Sequence, residues 1–372
     1  MNMINIKKTV FLPLLSFCFL FLPAVIATIS AIKFADWLYD PLNEVLAPIL
    51  NLVSGWPSLA TALVAGDYGL VAMFPFLVLY ALPTIVVFSV LLAVYRSSGL
   101  IEHLSGALQP WLRPFGLGAR DLVRVVMGFG CNVPAIVSSR ACDSCSRGTC
   151  VSAISFGSAC SYQLPATLAV FAAAGMAKMG VLYLILLALT TLVYLRFTTP
   201  KALRLAHNLL VEPKPNGIRR PRYKSIKEET MGNLKQFVVM ATPVFFGICL
   251  VATILNWLGV LKRFSDLLSP VMALFNLPGE AATAVVLGAI RKDGIAIGLL
   301  DPEAGVLKAS LESPAQVLTA VYLSGVLLPC LVTVFSIISE MRWKFALKLC
   351  VRQMAWAAGF SLIIAWGAPL FL

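Results

Sequence analysis

The residues best suited to chemistry in this 372-residue chain lie in GFGCNVPAIVSSR, residues 128–140. Gly128, Gly130 and Pro134 break an apolar run, and Cys131 and Asn132 sit in the break. A thiol beside an amide offers a metal ion one soft ligand and one oxygen ligand. Within a bilayer, backbone freed by such a break is tolerated only where it lines a cavity or is buried in protein. Half-helix ends meeting at a break are how many transporters build an ion site. Taken alone, the motif also fits a Gly/Pro turn between two ordinary helices. A second apolar stretch, Ala281–Leu300, is interrupted by Arg291, Lys292, Asp293 and Gly294. Ionisable residues at membrane depth are functional candidates by default. Arg291 and Asp293 can neutralise each other when closed and part on opening, so that these residues with Lys292, and Gly130 with Pro134 in the first break, form a gate. The competing reading puts the charged residues at an exposed outer turn. A third group, Cys142, Cys145 and Cys150, has the spacing C-x2-C-x4-C. It can receive metal or sense redox state, although no histidine is near to complete a structural zinc site. A plain polar turn is the alternative.

The elements that position these residues follow from composition. The chain is 59% hydrophobic and 12% charged, about half the charged fraction of soluble domains. It reads as an all-α polytopic membrane protein. The net charge of +12 falls in loops and reports topology rather than nucleic-acid binding. No GxxxxGK[ST], HExxH or GxSxG motif occurs, so no catalytic constellation supports an enzyme. With about 20 apolar residues per span, seven spans are expected: 10–32, 69–95, 150–174, 179–197, 236–260, 314–338 and 354–372. The first is read as an anchor helix in preference to a cleaved signal peptide, because no small-x-small site follows it. A helix over 101–115 is expected to lie in the interface. Residues 96–149 carry six arginines against three acids, and 196–235 carry ten bases against three acids. Both are therefore placed inside by the positive-inside rule, and 33–68 and 261–314 outside. The resulting units are an anchor and outer segment (1–68), a first repeat (69–197), a basic cytoplasmic loop (198–235) and a second repeat (236–372).

The repeat is visible directly. Shifting the chain by 160 residues aligns 81–130 on 241–290 without a gap, with eleven identities, among them Pro83/Pro243, Gly99/Gly259, Pro110/Pro270 and Gly128/Gly288. Chance gives about four from composition. Beyond the break the match resumes four residues out of step, with LPATLAVF (164–171) on LPCLVTVF (328–335). Three spans per unit forces the units into opposite orientations, the arrangement of inverted-repeat transporters with re-entrant broken-helix hairpins. In this alignment Arg291, Lys292 and Asp293 occupy the slots of Cys131, Asn132 and Val133.

Four motifs in order, GFGCNVPAIVSSR (128–140), CSYQLP (160–165), LGAIRKDGIAIG (287–298) and LLPCLVTVF (327–335), followed by Glu340 and WKFALK (343–348), resemble the membrane domain of the FeoB ferrous-iron transporters. The resemblance covers about residues 80–350. The paired units also look like the gate repeats of concentrative nucleoside transporters, a more distant similarity. Two departures stand out. The family usually carries an amino-terminal GTP-binding domain, and this chain is expected to bind no GTP itself. The family's arginine before Leu-Pro is Gln163 here, which removes a positive charge beside the pathway.

The resemblance implies Fe²⁺ passage past Cys131, Cys160 and Cys330, with Asn132, Ser161 and backbone carbonyls completing a moderate transit site. Thiolates prefer Fe²⁺, Zn²⁺ or Cu⁺ over Mg²⁺ and Ca²⁺. The expected function is a divalent transition-metal permease of the inner membrane, with no permanently bound cofactor. The expected partners are the bilayer, the metal ion, a GTPase or small accessory subunit in trans, and further copies of the chain, with no nucleic acid. The alternatives are an organic-solute, nucleoside-like secondary transporter, and a non-transporting regulator that uses the 142–150 turn as a sensor.

Overall fold

The computed structural model describes residues 3–53, 55–66, 69–142, 146–206, 217, 219–300, 307, 311 and 313–370. Among the described residues the chain is helical apart from turns and one isolated bridge between Leu300 and Leu307. The helices are α1 (Met3–Val53), α2 (Ser58–Ala65), α3 (Leu70–Phe76), α4 (Leu82–Ser97), α5 (Leu100–Leu112), α6 (Ala119–Gly130), α7 (Asn132–Ser138), α8 (Arg147–Gly157), α9 (Gln163–Ala173) and α10 (Met179–Thr198). After them come α11 (Lys201–Ala206), α12 (Tyr223–Gln236), α13 (Thr242–Trp257), α14 (Val260–Met272), α15 (Ala281–Ile290), α16 (Gly294–Leu299), α17 (Pro314–Val326), α18 (Leu331–Met341) and α19 (Trp343–Gly367). Six stretches among the described residues are long and apolar enough to cross a membrane. On α10 the large side chains Val181, Ile185 and Leu189 are exposed at four-residue spacing, while Tyr183, Leu187 and Tyr194 are buried. A helix apolar on both its buried and its exposed face is built for lipid. Close helix approach relies on small residues, as in membrane bundles: a Cβ on Gly157 of α8 would meet Thr191 of α10 at 2.6 Å.

The 160-residue repeat reappears in backbone geometry. A π-helical turn at Leu77–Ala81 is matched by one at Phe237–Ala241. Each precedes a proline, Pro83 or Pro243, that cannot donate to the carbonyl four residues back, so the ladder widens there. Gly99 and Gly259 both adopt left-handed φ (75° and 69°) before α5 and α14. The left-handed turns ending the 3₁₀ segments 113–115 and 273–275 fall on Gly116 and Asn276, residue types that accept that conformation. At the two breaks, Cys131 (φ −156°, ψ 133°) and Arg291 (φ −147°, ψ 140°) are extended alike. In both units the chain then folds back on itself. Arg124 of α6 donates from Nε to Ser138 O at the end of α7. In the second hairpin a Cβ on Gly298 of α16 would meet the Ala284 backbone of α15 at 2.3 Å.

Several sequence-based boundaries are corrected. The expected third span, 150–174, is two eleven-residue helices, α8 and α9, parted at 158–162. The expected sixth span, 314–338, is borne out as a stretch of membrane length, Pro314–Met341, but its helix is parted at 327–330. Window hydropathy misses such breaks because the residues in them are themselves apolar or small. Helix α1 runs on to Val53 through most of the segment expected to lie outside. The basic loop 198–235 ends in α12, which continues through the π turn into α13 and packs on α4 through an Arg96–Glu229 ion pair (2.7 Å) and a bond from Asn233 to Ser89 (3.2 Å). Helix α19 begins at Trp343, eleven residues before the expected seventh span, so Lys344, Lys348 and Arg352 lie on helix rather than loop.

Candidate functional site

The four breaks, at 131, 158–162, 291–293 and 327–330, meet. Cys131, Asn132 and Val133 from the first hairpin, Arg291, Lys292 and Asp293 from the second, Cys160 and Tyr162 from the α8–α9 break, and Cys330 from the α17–α18 break line one cavity of about 50 Å³. Leu77, Phe237, Phe245, Val332 and Thr333 complete its wall. Each unit thus gives the cavity both its hairpin tip and its broken helix. Glycines set the approach. A Cβ on Gly128 would lie 2.5 Å from Ser158 Oγ, and one on Gly288 would lie 2.8 Å from the Ser324 carbonyl. The same repeat position therefore lets each hairpin reach the frayed end of its own unit's broken helix.

The charged tip is buried. Arg291, Lys292 and Asp293 are 3%, 4% and 6% exposed, which overturns the reading of an exposed outer turn. Arg291 forms a bidentate pair with Asp293, Nη2 to Oδ2 at 2.6 Å and Nε to Oδ1 at 3.1 Å. Its guanidinium lies 4.1 Å from the Phe245 ring centroid, and Nη1 reaches Met73 Sδ at 2.6 Å and Cys249 Sγ at 3.1 Å. Lys292 does something else. Its ammonium donates to the carbonyls of Leu328 (2.5 Å), Gly325 (2.7 Å) and Ser324 (3.4 Å). These belong to the end of α17 and the break after it, where a helix leaves its last carbonyls without intrahelical partners and carries the negative end of its dipole.

In the first unit the Lys292 slot holds neutral Asn132. Asn132 Oδ1 and Ser161 Oγ are buried with no hydrogen-bond partner among the described residues. The Ser161 amide donates to Gly130 O (3.2 Å), tying the α8–α9 break to the first hairpin tip. Cys330 Sγ lies 3.1 Å from Thr333 Oγ1. Three thiols from three helix breaks and an amide oxygen are donor types that a borderline cation selects, although these three sulfurs do not form a donor group lying within 4.8 Å of one another, as Asp121, Cys142 and Cys150 do.

Of the sequence candidates, Cys131, Cys160, Cys330, Asn132, Arg291, Lys292 and Asp293 line the cavity. Ser161 and Gly130 lie directly behind it through their mutual bond, and Pro134 is buried within α7 away from the lining. Cys142 and Cys150 lie elsewhere, grouped with Asp121. Cys145 falls outside the described residues. Sequence reasoning did not find Tyr162, Phe245, Met73, Cys249 and Thr333. Tyr162 and Thr333 stand within three residues of Cys160 and Cys330, but nothing in the motifs marks the others.

Broken helices converging on buried sulfur and charge, inside a bundle with six membrane-length helical stretches, define a multi-pass helical membrane protein. The chain belongs to the Gate family, whose model is described as nucleoside recognition and matches residues 78–176 and 238–344, two blocks that begin 160 residues apart. Among curated proteins, the Fe(2+) transporter FeoB of Methanocaldococcus jannaschii is 25% identical over 369 residues, 89% of this chain and 52% of that protein. FeoB of Legionella pneumophila is 32% identical over 182 residues, 47% of this chain and 24% of that protein. FeoB of Staphylococcus aureus is 23% identical over 317 residues, 79% and 48%. The chain spans about half the length of the archaeal and staphylococcal relatives. A solved structure of CNTnw in an inward-facing substrate-bound state is 16% identical with a TM-score of 0.49, covering 96% of this chain and 97% of that one.

Proposed function

We propose that this chain is the membrane gate of a ferrous-iron uptake system of the inner membrane, passing Fe²⁺ between two oppositely inserted repeats past Cys131, Cys160 and Cys330. The observation that carries this reading is the cavity itself: three thiols from three separate helix breaks, with Asn132 Oδ1, unpartnered among the described residues, on the same wall. Sulfur donors favour Fe²⁺ over the more abundant Mg²⁺ and Ca²⁺, and the curated relatives carry the name of Fe²⁺ transporters. In this reading the Arg291–Asp293 pair is the closed latch, and Lys292 braces the α17 break while Cys330 turns toward the ion. A negative-inside potential would favour entry of a divalent ion by about 4.6 kcal/mol per 100 mV, twice the single-charge value. A GTP-hydrolysing or small accessory partner in trans, and further copies of the chain, belong to the proposal. The family's nucleoside description supports a second reading. Against it, a cavity of about 50 Å³ is far below the roughly 300–1,000 Å³ of sites for organic ligands.

The test is uptake into proteoliposomes under an imposed potential, with Fe²⁺ outside and reductant present. Flux that falls at least tenfold in Cys131→Ser/Cys160→Ser/Cys330→Ser and ignores excess nucleoside supports the proposal. Absence of Fe²⁺ flux from folded protein, flux untouched by the three substitutions, or competition by nucleosides overturns it.

A further inference from the structure

Away from the cavity, three donor side chains converge from three elements. Asp121 is in the first turn of α6, Cys142 follows the 3₁₀ turn that ends α7, and Cys150 is in the first turn of α8. Their ligand atoms all lie within 4.8 Å of one another. Asp121 is 4% and Cys150 0% exposed, whereas Cys142 is partly exposed, which gives the group a way in. None of the three lines the shared cavity. We propose that they form a second metal site, independent of the passage described above, for a borderline divalent transition ion such as Fe²⁺, Zn²⁺ or Co²⁺.

Two thiolates and a carboxylate are the donors such ions select, and three protein ligands leave a fourth position for water, the pattern of an exchangeable rather than a sealed site. Thiolates at about 2.3 Å from a tetrahedral ion stand about 3.8 Å apart, so closure from separations within 4.8 Å asks for a contraction of at most about 1 Å. Asp121 is already held for the task. Its Oδ2 accepts the Gly118 amide at 3.0 Å, and Oδ1 stands 3.4 Å from Arg124 Nη1. A carboxylate keeps further lone pairs free beyond these two.

Charge fits as well. Ligation expels the two thiol protons as one divalent ion enters, so the local charge is unchanged whatever Arg124, Arg140, Arg147 and Glu340 contribute nearby. A buried site can therefore fill without a net charge being moved into low dielectric, the expensive step in burying ions. The geometry also gives the ion a mechanical consequence. It would clasp the start of α6, the end of α7 and the start of α8, bracing the first hairpin at the end away from its tip.

The test is Co²⁺ titration of the purified full chain in detergent with a non-chelating reductant, read by thiolate-to-cobalt charge-transfer absorption. The expected result is a saturable band that persists in Cys131→Ser/Cys160→Ser/Cys330→Ser. It should weaken at least tenfold in affinity in Cys142→Ser and in Cys150→Ser, with two protons released per ion in weak buffer. Cys142→Ser is the gentler change, since its position is partly exposed, and near-ultraviolet circular dichroism checks that each variant is folded. A band lost with the cavity thiols, a band unchanged in both Cys142→Ser and Cys150→Ser, or no thiolate band at all would overturn the site.

Discussion

Replacing Lys292 by Met isolates the contribution of its ammonium. The change removes the donor that Leu328 and Gly325 accept from at 2.5 and 2.7 Å but keeps an unbranched side chain to fill the space. Two carbonyls, Gly325 O buried and Leu328 O partly buried, then lose this donor, at about 1–3 kcal/mol each. Part of that loss is offset because a buried ammonium no longer has to be desolvated. A net local cost of about 3 kcal/mol follows, about a hundredfold in an opening equilibrium at about 1.4 kcal/mol per decade. The assay is amide hydrogen exchange by mass spectrometry on peptides covering residues 320–335, where the Leu327 amide donates to Leu323 O on one side of the break and the Val334 amide to Cys330 O on the other. Exchange there should rise about a hundredfold, while peptides over the α8–α9 break keep their wild-type rates. Rates within threefold of wild type at 320–335, or an equal rise over the whole chain, would refute the idea that Lys292 pins this one break.

Breaking the Arg291–Asp293 pair by Asp293→Asn should lower stability by about 3–5 kcal/mol, because the guanidinium is left buried without its countercharge. The double change Arg291→Met/Asp293→Leu should recover most of that loss, as read by denaturation of detergent-solubilised protein. Gly298→Ala forces α16 off α15, since the added Cβ would lie 2.3 Å from Ala284 Cα, and should destabilise by about 1–3 kcal/mol. Gly247→Ala in α13, where a Cβ meets nothing within 4 Å, should be neutral or stabilising by up to about 1 kcal/mol in the same assay.

Positions where backbone geometry is unusual were the most legible in the sequence. Gly99, Gly259, Pro83 and Pro243 recur at the 160-residue interval because a left-handed turn or a missing amide admits few residue types, and the paired left-handed and π-helical turns follow them. Cys131 and the Arg291 triplet could be found because they sit in the hairpin breaks. The breaks at 158–162 and 327–330 were hidden. CSYQLP carries no charge and LLPC is apolar, so neither interrupts the flanking apolar runs, and only the tertiary meeting with Gly128 and Gly288 gives the interruptions a place to go. The partner of Lys292 was illegible for a different reason. It is backbone, and a carbonyl leaves no mark in the alphabet of side chains. Asp121 was missed beside Cys142 and Cys150 because its separation of 21 and 29 residues from them in sequence is closed only when α6, α7 and α8 pack together.

Helix α1 has 51 residues, about 77 Å if straight at about 1.5 Å per residue, more than twice a hydrocarbon core of about 30 Å. Its main packing partners are α2, α3, α4, α5, α6 and α9, together with the π turn at 77–81, all before α10. Nothing of that length flanks the later unit among the described residues. The molecule therefore carries a keel along one side only. Twofold likeness in the interior is thus paired with lopsided scaffolding outside, since the long helix lies chiefly against elements of the first unit.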